Sequence, residues 1–127
     1  TTDDTIDLTS LKGKYVLLSF WASDDACSRE AVNNYTAWSN SHKDSNIRYV
    51  GINFDDSRTL FNEIVRLDSL NPVEQYNVRG NDAKEIEMKY QLDDGYGSLL
   101  IDPEGKIIAH NPTDTQLDEL IGATSPN

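Results

Sequence analysis

The sequence has no second cysteine. Cys27 is the only one, so no intrachain disulfide can form and no dithiol cycle can run within one molecule. Long apolar runs are missing too. Nothing approaches the roughly 18 residues of a membrane span, and no basic region followed by an apolar stretch marks a signal peptide. The start at Thr1-Thr2-Asp3-Asp4 is compatible with a trimmed boundary. Basic residues are scarce, 11 against 22 acidic, for a formal charge of −11. That charge repels phosphate backbones and anionic lipid, which argues against nucleic-acid and membrane-surface roles. One cysteine neither demands an oxidising compartment nor excludes it.

What is present reads as one domain over residues 1–127, long enough to bury a core without disulfides or metal. Tyr15 to Trp21 (YVLLSFW) is a nearly continuous apolar run after the Gly13 turn, as expected of a central strand buried on both faces. A helix follows from Ala26 to Ser39, with Ala31, Val32, Tyr35 and Trp38 at helical spacing. Ile47 to Phe54 (IRYVGINF) predicts a second buried strand, and Asp55-Asp56-Ser57 supply N-cap residues for a helix whose face is Leu60, Phe61, Ile64, Val65 and Leu67. Asn71-Pro72 stops that helix, and a short strand is expected at Val73 to Val78.

Asp82, with Glu85 three positions on, is expected to open another helix that turns Ile86, Tyr90 and Met88 inward and ends at Asp93-Asp94-Gly95. Ser98 to Asp102 and Lys106 to Ala109 form a hairpin around Asp102-Pro103-Glu104-Gly105, which has type I turn chemistry. Thr113 and Gln116 make a capping box before Leu117, Leu120 and Ile121. Early parallel units followed by an antiparallel hairpin imply an α/β domain, a mixed sheet flanked by helices.

Two phrases carry a family resemblance. LTSLKGKYVLLSFWAS at Leu8 to Ser23 and LLIDPEGKII at Leu99 to Ile108 resemble the opening and closing hairpin of the thioredoxin-like, TlpA/ResA-like redoxins, which are related to AhpC/TSA proteins. The resemblance covers about residues 8–121 and implies a thioredoxin-like fold and an exported, periplasmic or cell-envelope setting in a bacterium. In that family Phe-Trp-Ala-Ser runs into Trp-Cys-x-x-Cys-Arg at a helix start. Here Asp24 stands at the tryptophan, Asp25 and Ser28 at the two cysteines, and Arg29 at the arginine, with Cys27 on a spacer position. The family's cis-proline position falls on Tyr96, where a cis bond would cost about 2.5–4 kcal/mol, so a trans peptide and a reshaped groove floor are expected.

The remaining chemistry is limited. A helix N-terminus favours a thiolate at Cys27 by about 0.3–1 kcal/mol, whereas a carboxylate about 6 Å away opposes it by about 1–3 kcal/mol, with Arg29 a partial offset. The bland reading of Cys27 is a small buried or half-buried side chain. The sharper one is a one-cysteine peroxidase or a monothiol partner in mixed disulfides. Ser28 has no histidine near it in sequence, and His42 and His110 read as solvated surface residues.

The implied topology gathers Asp24, Asp25, Asp55, Asp56, Asp93 and Asp94 at one rim, which would suit a hard cation or a basic peptide. Against a metal, these are cap and loop residues and no calcium-loop motif is present. Trp21 and Tyr96 are expected to be contact residues, and Trp38 to be core. The reading is a redox-degenerate binding or structural module with a protein or peptide partner at that rim and no cofactor. The alternative is a thiol enzyme acting through Cys27.

Overall fold

The computed structural model describes residues 13–43, 45–92 and 95–124. Leu8 to Lys12 of the opening phrase, and Asp93 and Asp94, lie outside the described residues. The elements run β1 (Tyr15–Trp21), α1 (Ala26–Ser41), β2 (Ile47–Asn53), α2 (Arg58–Leu67), β3 (Gln75–Asn77), α3 (Gly80–Lys89), β4 (Ser98–Ile101), β5 (Ile107–His110) and α4 (Asp114–Thr124). They form one five-stranded sheet in the order β3-β2-β1-β4-β5. β1 is parallel to β2 and antiparallel to β4, so this is the mixed sheet of the thioredoxin-like fold.

β1 is central because both its faces are apolar. Val16, Leu18 and Phe20 join Val50, Ile52 and Leu99 on one face, where Ile86 and Tyr90 pack. Leu17 turns to the other face with Tyr35, Trp38, Tyr49, Leu100 and Leu117, beneath α1 and α4. Trp21, Val32, Phe61, Ile64 and Val65 form a third cluster between α1, α2 and the end of β1. At about 25 cal/mol per Å2 of apolar surface, these clusters are the main source of stability. The capping box closes as expected: Gln116 N donates to Thr113 Oγ1 at 3.1 Å, and Thr113 N to Gln116 Oε1 at 2.9 Å.

Several expectations are corrected. β3 is shorter than Val73 to Val78, because the Asn71 side chain accepts from Val73 N at 3.1 Å and holds the chain in a turn that leaves Val73 exposed. α3 starts at Gly80 after Arg79, which makes no side-chain cap bond, so Asp82 lies in the first turn instead of capping it. Met88 is 79% exposed, on the outer side of α3, and Leu60 and Leu67 are exposed on α2. The amphipathic stripe is therefore narrower than its apolar residue count suggests. His42 is not a solvated loop residue. It is the C-cap of α1, half-buried and stacked on Trp38 at 4.4 Å, with Nε2 3.2 Å from Asp118.

A polar rib crosses the face of the sheet that α1 and α2 cover. Trp21 Nε1 donates to Gln75 Oε1 at 2.9 Å. That side chain passes over Gly51, where a Cβ would sit 2.1 Å from Gln75 Oε1. Gly51→Ala must therefore displace Gln75 and leave the indole N–H unpaired, an expected loss of about 1–3 kcal/mol in urea denaturation. In a Gln75→Ala background the same substitution should cost much less. Equal costs in the two backgrounds would show that Gly51 is there for another reason.

Candidate functional site

The carboxyl ends of β1 and β2 and the amino end of β4 meet at one edge, and the residues singled out at the rim follow from that topology. After Trp21 the chain turns through Ala22–Asp25 into α1. Asp25 is in extended conformation (φ −101°, ψ 100°) as the N-cap. Its carboxylate accepts from Ser28 N at 3.1 Å, while Ser28 Oγ donates to the Asp25 carbonyl at 3.1 Å and accepts from Ala22 N at 3.3 Å. Ser28 is 6% exposed, so its hydroxyl is a buried structural group bonded to the backbone at Asp25 and Ala22.

The same loop is tied across the sheet. Asp55 follows β2 by two residues and is 7% exposed. One carboxylate oxygen accepts from Ser23 N at 2.8 Å and the other from the Ser23 hydroxyl. Asp55 is held in turn by Asn53 Oδ1, which accepts from Asp55 N at 2.8 Å, and by Asn77 Nδ2, which donates to Asp55 O at 3.0 Å. Arg29 grips Asp68 at the end of α2 through Nε (2.7 Å) and Nη2 (2.6 Å), with Asn33 Nδ2 adding a third bond at 3.1 Å. Its charge is thus committed to Asp68 in a bidentate pair.

Of the expected contact residues, Tyr96 is 36% exposed and stacks on Phe54 at 5.5 Å, and no cis peptide occurs among the described residues. Trp21 is corrected: at 0% exposure it is core, held by Gln75 and packed against Phe61 at 6.3 Å. Cys27 is corrected in the other direction, because its side chain is exposed on the first turn of α1. Trp38 is core as expected.

The acidic rim divides. Asp24 and Asp56 are exposed, Asp25 is a cap, and Asp55 is buried and bonded to Ser23. Among the described residues no group of three or more His, Cys, Asp or Glu is placed to hold a metal ion. The Tyr96 hydroxyl is shifted up by burial first, then by the carboxylates of Glu87, Asp24, Asp25 and Asp55. Glu87 is a contributor that the sequence did not single out. Asp68, Asn33, Asn77 and Gln75 were also missed, since each acts through a partner more than 20 residues away, as was Asn53, whose side chain also accepts from Asp55 N two residues on.

The AhpC/TSA family model matches residues 1–110. The chain belongs to the AhpC/TSA family. A thioredoxin-like protein from Parabacteroides distasonis is 31% identical with a TM-score of 0.82, covering 96% of this chain and 90% of its own. The thioredoxin domain of a thiol-disulfide oxidoreductase from Bacteroides vulgatus is 25% identical with a TM-score of 0.79, covering 91% and 85%. A thiol:disulfide interchange protein from Bacteroides sp., 24% identical with a TM-score of 0.78 over 94% and 78%, shares the fold. No curated protein matches the chain. Within this AhpC/TSA-family chain, Asp25 and Ser28, which the resemblance sets at the redox positions, are bonded to each other as a helix cap.

Two carboxyls predict opposite pH dependences. Arg29 holds Asp68 below its ordinary 3.8, so this pair contributes stability above pH 3.8 that is lost as pH falls through the lowered value. Glu74 is raised above its ordinary 4.5 by burial, with the Ser39 hydroxyl only partly offsetting this, so its contribution is present below pH 4.5 and lost as pH rises through the raised value. Urea midpoints against pH should lose part of their acid-side fall in Asp68→Asn and part of their decline above pH 4.5 in Glu74→Gln. Profiles unchanged from the natural chain would contradict both assignments.

Proposed function

We propose that this chain is a single redox-degenerate thioredoxin-like domain of TlpA/ResA type, which binds a protein or peptide partner at the former active-site rim in a bacterial cell envelope. The observation that carries this reading is the Asp25–Ser28 cap. The two side chains standing where the resemblance expects a redox pair hydrogen-bond to each other's backbone, and neither can be oxidised to a disulfide. The exposed Tyr96 and the exposed carboxylate of Asp24 give the rim a surface for a partner. The envelope setting rests on the TlpA/ResA resemblance. No described helix is long and apolar enough to cross a membrane.

A second reading is favoured by one observation, the exposure of Cys27 on the first turn of α1. It makes the protein a thiol-disulfide oxidoreductase, as the Bacteroides vulgatus neighbour is named, or a one-cysteine peroxidase. With no second cysteine, any mixed disulfide or sulfenic acid formed at Cys27 needs an external thiol to resolve it.

Turnover separates the two. With dithiothreitol as reductant, insulin-disulfide reduction and hydrogen peroxide consumption by the natural chain should equal those of Cys27→Ser and stay at the uncatalysed rate. Turnover clearly above background that disappears in Cys27→Ser would overturn the binding-module reading.

A further inference from the structure

A groove of about 500 Å3 opens beside the rim, walled by Phe20, Tyr90, Leu92, Tyr96, Leu99 and Ile107. Its aromatic walls are fixed by packing: Tyr96 stacks on Phe54, Phe54 lies 6.1 Å from Phe20, and Phe20 lies 5.1 Å from Tyr90. Gln91, Ser98 and Asn111 line it too, so the groove is of mixed polarity, and its packed aromatic walls can hold a side chain at small entropic cost.

Charge around the groove is uneven. The carboxylates that bear on Tyr96 come from three elements: Glu87 on α3, Asp24 and Asp25 at the start of α1, and Asp55 after β2. Asp25 and Asp55 are engaged by Ser28 and Ser23, but Asp24 and Glu87 are exposed. Lys89 and His110 line the groove elsewhere, with Lys89 Nζ 5.4 Å from the centre of the Tyr90 ring. A bound segment therefore meets negative charge at Tyr96 and the positive charge of Lys89 along the Tyr90 wall.

We propose that the groove takes an extended peptide segment of a partner protein, with an apolar side chain between Tyr90 and Leu99 and a single Lys or Arg beside Tyr96, Asp24 and Glu87. This rests on the binding-module reading and names the chemistry of its partner. The Tyr96 ring offers a face to the cation while the two exposed carboxylates attract it. Lys89 disfavours a second base beside Tyr90, so a polybasic run does not fit.

The test uses the full 15N-labelled chain and three acetylated, amidated pentapeptides: Arg-Leu-Val-Phe-Ser and its counterparts beginning with Gln or Glu. The Arg peptide should shift the amides of Tyr96, Gly97 and Leu99 and bind about fivefold more tightly than the Glu peptide, and 0.5 M NaCl should shrink that preference. Glu87→Gln, on an exposed α3 position, should reduce the Arg preference without changing the melting temperature, and Tyr96→Leu should reduce it further. Three peptides that move the same amides with equal affinity would overturn the charge assignment while leaving the rim a peptide site. Tighter binding of the Glu peptide, or an Arg preference untouched by Glu87→Gln, would do the same. If none of the three moved the rim amides at millimolar concentration, the inference and the rim as a peptide site would both fall.

Discussion

Most of the rim depends on how the chain leaves β1. A strand that ends in a fully buried tryptophan must turn immediately and start a helix over the sheet, and the four amide groups at that helix start need acceptors. Asp25 supplies one for Ser28 N, and Ser28 returns its hydroxyl to the Asp25 carbonyl. Asp55 then clamps Ser23 by backbone and side chain. With Arg29 fixed to Asp68, the cap closes the loop onto its own helix, and two polar anchors hold the loop and the first turn of α1 to the segment after β2 and the end of α2. Neutral hydrogen bonds contribute about 0.5–1.5 kcal/mol net each and those to charged groups about 1.5–3, so the loop has little freedom to rearrange.

That arrangement explains why the site reads as rebuilt. A catalytic cysteine pair needs one thiol accessible and the other within bonding distance. Here the side chains at those positions are spent on capping, one of them buried, while the remaining thiol points outward from a spacer position. The buried rib behind the loop, Trp21 to Gln75 and Asn53 with Asn77 and Asp55, passes strand geometry directly to the rim. What the rim still offers is the exposed side of Tyr96, carboxylates beside it, and a groove of mixed polarity with aromatic walls. Those are the features on which the proposed binding role rests.

Much of the fold was legible because β1, β2 and the hairpin carry strong local signals. A seven-residue apolar run, the Asp-Pro-Glu-Gly turn and the Thr113/Gln116 box each determine their structure within a few residues. Where expectations failed, a longer-range or competing local interaction decided. Asn71 shortened β3, Met88 faced water because α3 contacts the sheet over a narrow stripe, and Trp21 turned inward to reach Gln75, 54 residues away. In the candidate site, Asp25 and Ser28 were legible as replacements but not as partners in one cap, and the Arg29–Asp68 pair left no trace in local sequence. Tyr96 was found by register, whereas Glu87 emerged only once α3 was folded beside it.

The central claim is that Asp25 and Ser28 form a working helix cap at the positions where the family resemblance expects the redox pair. Hydrogen exchange of the Ser28 amide, read together with urea stability, tests it most directly. The account predicts a protected Ser28 amide whose protection is lost in Asp25→Ala, with stability falling by about 0.5–2 kcal/mol and largely retained in Asp25→Asn. An unprotected Ser28 amide in the natural chain, or an Asp25→Ala variant as stable and as protected as its parent, would contradict it.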